Sequence, residues 1–200
     1  MVENKYRLVR EIKDYAIINK VPIMQDDGIE FLTTFIIKHQ IKSVLEIGTA
    51  IGYSAIMMCL CNPSLKVTSI ERDEKRYLEA LNNVKKMHLE DRITLIFNDA
   101  LNVRLTGKFD LIFIDAAKSQ NIKFFELFER NLNNDGVIIT DNMYFHGLVK
   151  KNEKEISSRN VRGIVRKIKD YITFLKENDN YETVIHDVGD GIAVSFKKGD

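Results

Sequence analysis

Short runs rich in β-branched and aromatic residues alternate along this chain with longer stretches of helical periodicity, and no other feature constrains the fold as tightly. The runs Ser43–Gly48, Lys66–Ile70, Ile93–Phe97, Phe109–Asp115 and Gly136–Thr140 are apolar at both odd and even positions, the pattern of strands buried on both faces. Helical patterns at Tyr53–Cys61, Glu74–Met87 and Ser119–Asn131 fall between them. Strands that alternate with helices in this way form a parallel sheet covered on both faces. The chain then changes character. A helix at Asn160–Lys176 leads into Glu182–His186 and Ile192–Lys197, joined by the turn-like Gly189-Asp190-Gly191, so the last two strands should pair antiparallel. Two helices separated by Val21-Pro22 precede the first strand, with Asp26 or Asp27 expected to cap the second. The expected fold is α/β: a doubly wound, Rossmann-like sheet of seven strands, mostly parallel, closed by an antiparallel C-terminal hairpin.

Size and composition fit one domain spanning residues 1–200, because neither a Gly/Ser-rich linker nor a repeat interrupts the chain. The net charge of +1 gives no global attraction to nucleic acid or to an anionic membrane, so any basic surface has to be local. The longest apolar run, Ala55–Cys61, is far too short to span a bilayer, and the N-terminus lacks the apolar core of a signal peptide. A cytoplasmic protein without membrane association is expected. Cys59 and Cys61, the only cysteines, point to different sides of one helix and read as packing residues.

The first strand runs into Glu46-Ile47-Gly48-Thr49-Ala50-Ile51-Gly52-Tyr53-Ser54, where two glycines bracket the turn into a helix. Such a turn lets a ligand approach the backbone and the unpaired N–H groups of the following helix. The spacing is Gly-x-x-x-Gly rather than the Gly-x-Gly-x-x-Gly of dinucleotide sites, which disfavours NAD. Glu71, at the end of the second strand, is placed to accept hydrogen bonds from both hydroxyls of a ribose. Asp99, in Asn98-Asp99-Ala100 after the third strand, can reach an adenine amino group. Each feature alone is compatible with a tight connection or a solvated helix start. At the ends of successive strands they point together to a nucleoside cofactor, and S-adenosylmethionine suits the loop best.

The fourth strand ends in Asp115 and the fifth in Thr140-Asp141-Asn142. Two carboxylates brought together at strand ends repel unless a cation lies between them. With the carbonyl of Asn142 they make an all-oxygen set suited to Mg²⁺, Mn²⁺ or Ca²⁺. A helix cap at Asp115 and a turn at Asp141-Asn142 are the plainer reading of the same residues. Lys118, three residues past Asp115, is either a surface lysine or an amine able to act as a general base.

Taken in order, Glu46-x-Gly48-x-x-x-Gly52-Tyr53-Ser54, the acid Glu71, Phe113-Ile114-Asp115-Ala116-Ala117-Lys118 and Asp141-Asn142 resemble the metal-dependent O-methyltransferases of the catechol and caffeoyl-coenzyme A type. The resemblance covers nearly the whole chain. It implies S-adenosylmethionine contacts by Glu46, Gly48, Ser54, Glu71, Asp99, Ala100, Asp115 and the Met24 region. It further implies a divalent metal, Mg²⁺ or another, on Asp115, Asp141 and Asn142, catalysis by Asp115 and Lys118 with Lys118 as base, and a homodimer. The segment Phe113–Gln120 lacks the second Asp common before the lysine in the small-phenol and acyl-CoA branches. In this it is similar to the bacterial branch that methylates 5-hydroxyuridine at the tRNA wobble position, where the 5-hydroxyl and 4-carbonyl form a catechol-like pair.

Residues 150–169 carry eight Lys and Arg against Glu153 and Glu155, a local charge of +6. On a helical wheel Val161, Ile164, Val165, Ile168, Ile172 and Leu175 share one face, and Arg159, Arg162, Arg166 and Lys169 cluster on another. Such a ridge can hold the phosphates of a tRNA anticodon loop while Tyr144 or Phe145 stacks on a splayed base. A solvated amphipathic helix and a clamp for coenzyme A phosphates are equally consistent with it.

Overall fold

The computed structural model describes residues 2–198, and its seven strands form one sheet in the order β3-β2-β1-β4-β5-β7-β6. The chain divides into two compact units, one ending at Val103 and one beginning at Arg104.

The first unit comprises α1 (Val2–Ile18), α2 (Asp26–Lys38), β1 (Ser43–Ile47), α3 (Tyr53–Cys61), β2 (Lys66–Glu71), α4 (Glu74–Lys86) and β3 (Ile93–Phe97). Its strands are parallel and end together, since Ile47 pairs with Ile70 and Ile70 with Ile96. Val44, Leu45, Glu46 and Ile47 are all buried, as a strand covered on both faces requires. On α2 the stripe Ile29, Leu32, Phe35 and Ile36 is buried, and the helix packs on α3. Full burial of a Leu or Ile side chain contributes about 1.5–3 kcal/mol, so this stripe anchors the helix. The cap of α2 differs from the expectation. Gln25 precedes the helix and Asp26 and Asp27 lie inside its first turn, where their charge faces the positive end of the helix dipole. Asp26 instead pairs with Lys13 of α1 at 2.5 Å, and Asp27 accepts from the Gly28 N–H at 2.9 Å. At α4, by contrast, Asp73 caps directly by accepting from the Arg76 N–H, and Lys85 and Lys86 close the last turn.

The second unit comprises β4 (Phe109–Ile114), α5 (Asn121–Phe128), β5 (Leu132–Thr140), α6 (Arg159–Glu177), β6 (Tyr181–His186) and β7 (Ile192–Lys197). β4 and β5 are parallel and end level at Ile114 and Thr140, while β7 pairs antiparallel with both β5 and β6. The expected antiparallel hairpin around Gly189-Asp190-Gly191 is present. Two elements differ from the expected bounds by more than one residue. The helix expected over residues 119–131 is α only from Asn121 to Phe128, flanked by 3₁₀ turns at Lys118–Gln120 and Glu129–Asn131. Asn131 is held out of the helix by its amide, which donates to the carbonyls of Leu105 and Gly107 at 3.0 and 2.8 Å. β5 begins at Leu132, earlier than expected, because Asn133 donates to Asp110 of β4 at 2.7 Å and draws a turn-like Asn-Asn-Asp run into the sheet. The core of this unit is aromatic: Phe125 meets Tyr181 and Phe174 edge-on at 4.8 and 5.3 Å. No helix of the described residues is long and apolar enough to cross a membrane.

Candidate active site

In the first unit the chain leaves β1 through a loop whose left-handed residues alternate with ordinary ones. Gly48, Ala50 and Gly52 have φ of 103°, 46° and 83°. Gly48 and Gly52 are therefore required by backbone conformation, and Ala50 adopts it at some strain. β2 fixes the loop, because the Gly48 and Thr49 N–H groups donate to the Ile70 carbonyl at 3.0 and 3.2 Å. Glu71 reinforces it: one carboxylate oxygen accepts from the Ala50 N–H at 2.8 Å, the other from the Arg72 and Asp73 N–H groups at 2.9 and 2.8 Å. Glu71 is 7% exposed, so it is rigidly held at the strand end where the sequence places a ribose acceptor.

Beneath the loop lies Glu46, with no exposed surface. Ser54 of α3 donates to one of its oxygens at 2.5 Å and Ser69 of β2 donates to the other. Ser69 also meets the Thr49 hydroxyl at 2.5 Å. Burial pushes the Glu46 carboxyl up to about 7; the two serine hydroxyls oppose the shift and the charge of Glu71 adds to it. Glu46 and Ser54, expected as cofactor contacts, thus bond to each other under the loop. Of the other residues expected there, Asp99 starts the 3₁₀ turn Ala100–Asn102, accepting from the Leu101 N–H at 2.9 Å, and its second oxygen lies 3.5 Å from Arg72. Ala100 and Met24 are buried, and a Cβ on Gly28 would approach the Met24 methyl to 3.0 Å.

The sequence reading missed Asn83. This α4 residue, 2% exposed, donates its side-chain amide to the Ile51 carbonyl at 2.9 Å and clamps the loop from the helix side. The signal in the sequence was an amide among the buried positions Ala80, Asn83 and Val84 of an amphipathic helix.

In the second unit, β4 and β5 bring Asp115 and Asp141-Asn142 together. The Asp141 N–H donates to the Ile114 carbonyl at 3.2 Å, which sets the two strand ends side by side. The Asn142 amide donates to Asp141 at 2.8 Å and reaches Asp115 at 3.4 Å, so its N–H group sits between the carboxylates. Asn142 has φ of 64°, a conformation that Asn tolerates better than most side chains. A half turn of the amide would present its carbonyl oxygen to this side in place of the N–H donor. The donor set is then all oxygen and fits a hard divalent ion. Among the described residues no three His, Cys, Asp or Glu side chains are grouped to hold a metal, so the amide is needed to complete the set. Lys118 opens the 3₁₀ turn after β4 and is half-buried.

A second residue absent from the sequence reading supports this cluster. Tyr171 of α6 is fully buried and its hydroxyl meets Thr140, the neighbour of Asp141, at 2.7 Å. It falls at helical spacing from Val165 and Ile168, within the buried stripe.

The cationic residues of α6 divide into two kinds. Arg159 and Arg166 are exposed and Lys169 is half-buried, reaching the Lys151 carbonyl at 3.5 Å. Arg162 instead donates to the carbonyls of Ile156 and Ser157 at 2.5 and 3.1 Å, tying down the segment before the helix. Tyr144 packs against Gly191, where a Cβ would come within 2.8 Å of the ring, and the Lys150 ammonium lies 4.4 Å from the ring centre. Phe145, His146 and Gly147 are successive left-handed residues, held to the hairpin turn by the His146 N–H donating to Asp190 at 2.6 Å.

A family model described as O-methyltransferase matches residues 3–198. A caffeoyl-CoA O-methyltransferase of Populus kitakamiensis is 28% identical over 190 residues, covering 91% of this chain and 80% of that protein. A catechol O-methyltransferase of Mycobacterium tuberculosis is 31% identical over 134 residues, covering 65% of this chain and 60% of that one. A solved Staphylococcus aureus protein, provisionally described as a caffeoyl-CoA O-methyltransferase, is 34% identical and superposes with a TM-score of 0.90 over 99% of this chain and 100% of its own. The fold is shared by a Bacillus cereus O-methyltransferase solved in complex with S-adenosylhomocysteine, at a TM-score of 0.81, 23% identity, and 96% and 91% coverage. With a family match over nearly its whole length, the chain belongs to the O-methyltransferase family, as an S-adenosylmethionine-dependent enzyme.

Proposed function

We propose that this enzyme methylates one of two vicinal oxygens with the help of a divalent metal, and that its substrate is 5-hydroxyuridine at the wobble position of a tRNA anticodon loop, giving 5-methoxyuridine. The observation that carries the reading is that one unit holds both the Asp115, Asp141 and Asn142 cluster and the exposed cations Arg159 and Arg166 of α6. Asp115, Asp141 and Asn142 would hold the metal, which when bound would supply Lewis-acid chemistry that lowers the pKa of a substrate hydroxyl.

The protein's own residues do the rest. Gly48, Glu71, Asp99 and Ala100 bind the nucleoside of S-adenosylmethionine, whose methyl carbon gains a bond to the substrate oxygen as its bond to sulfur breaks. Lys118 takes the hydroxyl proton at Nζ. Arg159, Arg166 and Lys169 hold phosphates and so fix the position of the base, which in a methyl transfer provides much of the rate. The strained run Phe145–Gly147 is the element we assign to the splayed base. A tRNA substrate places the enzyme in the cytoplasm. We further propose a homodimer, supported by Tyr6, Ile17 and Ile18 of α1, which are 72–77% exposed.

A second reading, a small catechol or caffeoyl-CoA-type substrate, is favoured by the names of the relatives. Labelled S-adenosylmethionine, with and without Mg²⁺, offered to 5-hydroxyuridine tRNA and to free catechol in parallel separates the two. Label in the tRNA alone, lost on chelation, supports the first; label in catechol alone overturns it.

A further inference from the structure

A buried carboxylate without a cation is costly, and Glu46 is one. Its two oxygens face only hydroxyl groups, from Ser54 on α3 and Ser69 on β2. The one titratable group acting on it is Glu71 on β2, whose charge raises it; the Cys59 thiol on α3 is in turn raised to about 12, by burial first and with Glu46 adding to it, and so stays neutral. No Lys, Arg or His stands among the groups acting on it in the described residues. Hydroxyl partners accommodate either form, since each can donate to a carboxylate or accept from a carboxylic acid. The site is therefore built to hold Glu46 in either charge state.

S-adenosylmethionine carries one net positive charge, from sulfonium and ammonium against one carboxylate, and S-adenosylhomocysteine carries none. We propose that Glu46 reads this difference: it gives up its proton when the methyl donor occupies the loop above it and titrates as in the free protein when the spent product remains, and so favours exchange of product for donor. The inference rests on the cofactor reading of the Gly48–Gly52 loop. It makes Glu46 a specificity-determining residue that acts through charge, with no contact to the reacting atoms required.

The sign is fixed by electrostatics. A neighbouring positive charge favours the ionised carboxyl, so binding of the donor releases a proton wherever Glu46 of the free protein is still protonated. With a carboxyl titrating at about 7 in the ligand-free protein, donor binding near neutral pH releases roughly half a proton and product binding releases none. Preference for donor over product then falls about five- to tenfold from pH 8 to pH 6, because release of one proton with the donor alone makes the ratio of affinities follow the proton concentration below pH 7.

The test is calorimetry of S-adenosylmethionine and S-adenosylhomocysteine binding to the full chain, in two buffers of different ionisation heat and across pH 6–8. The expected result is proton release with the donor only, and a Glu46→Gln variant that binds both ligands with a pH-independent ratio. Donor binding without proton release overturns the inference and leaves the cofactor reading intact. So does a Glu46→Gln variant that keeps the pH dependence. Failure of the wild-type chain to bind either ligand overturns the cofactor reading itself. Should the variant not fold, the proton count on the wild-type chain still decides.

Discussion

Asn83 of α4 holds the carbonyl of Ile51 at 2.9 Å, and through it the backbone between the two loop glycines. The amide is buried, so its removal leaves a carbonyl without its donor rather than one turned to water. A buried unsatisfied group costs about 1–3 kcal/mol. Asn83→Ala is expected to lower thermal stability by that amount and S-adenosylmethionine affinity about tenfold, as read by melting and calorimetry. Unchanged affinity would show that the loop keeps its shape without the clamp.

Asp141 joins Asp115 and Asn142 at the strand ends, in a unit that does not include the glycine loop. Asp141→Ala should therefore abolish Mg²⁺-dependent methyl transfer, by more than the roughly 10–100-fold that loss of a supporting partner brings. Binding of S-adenosylmethionine should change less than about threefold, within the context-dependence of single contacts. Residual turnover that ignores chelator would remove the metal from the mechanism.

Arg162 and Arg166 stand on the same helix and should behave differently. Arg166→Ala, combined with Arg159→Ala, is expected to weaken tRNA binding and to reduce its salt slope by about one for each phosphate left without its cation. Arg162→Ala removes the donor to Ile156 and Ser157 and should cost about 1 kcal/mol of stability, with little change in salt slope. Equal effects on the slope would return Arg162 to the phosphate-binding row.

Glu46 also sets a pH dependence of stability in the ligand-free protein. Its carboxyl keeps a proton up to about 7 when folded and up to about 4.5 when unfolded, so between these values the native state binds more protons. Stability from this group is therefore lost as pH rises through that window, to a total of about 3 kcal/mol above it. Glu46→Gln lacks the titration and should gain on the wild type from pH 5 to pH 7 and stay level beyond. Denaturant melts across that range check it; a constant difference would mean that Glu46 is charged throughout.

Tyr171→Phe removes the hydroxyl that meets Thr140 at 2.7 Å beside Asp141. A loss of about 1 kcal/mol is expected, with a larger effect on methyl transfer than on donor binding because the acid cluster loses its support. An effect on stability alone would make the bond structural.

Strand and helix identities were legible because burial on both faces of a parallel strand, or on one face of a helix, forces a periodicity into the sequence itself. α3, β3 and β7 have the bounds read from the sequence, although β3 stands at the sheet edge and is buried only at Ile93, not on both faces as expected. The glycine loop and the acids at strand ends were legible for a related reason: a tight turn and a ligand that approaches the backbone demand particular residue types at fixed spacing. Other assignments depended on partners distant in sequence. The start of β5 was set by Asn133 meeting Asp110, and the break of the helix after Phe128 by Asn131 reaching back to Leu105 and Gly107. Asp26 became a partner for Lys13 rather than a cap. None of these pairings leaves a periodic trace.

The sequence by itself determined the succession of strands and helices and which residue types stand at the strand ends, because these follow from local periodicity and spacing; the family entered through the resemblance that its motifs carry. Tertiary structure alone decided what each polar side chain holds: Glu46 two buried hydroxyls, Glu71 the loop backbone, Asn83 the Ile51 carbonyl, Arg162 a pair of carbonyls before its own helix. The physical reason is that a hydrogen bond in the interior is fixed by which donors and acceptors burial brings within about 3 Å of one another, and that proximity exists only after the chain has folded.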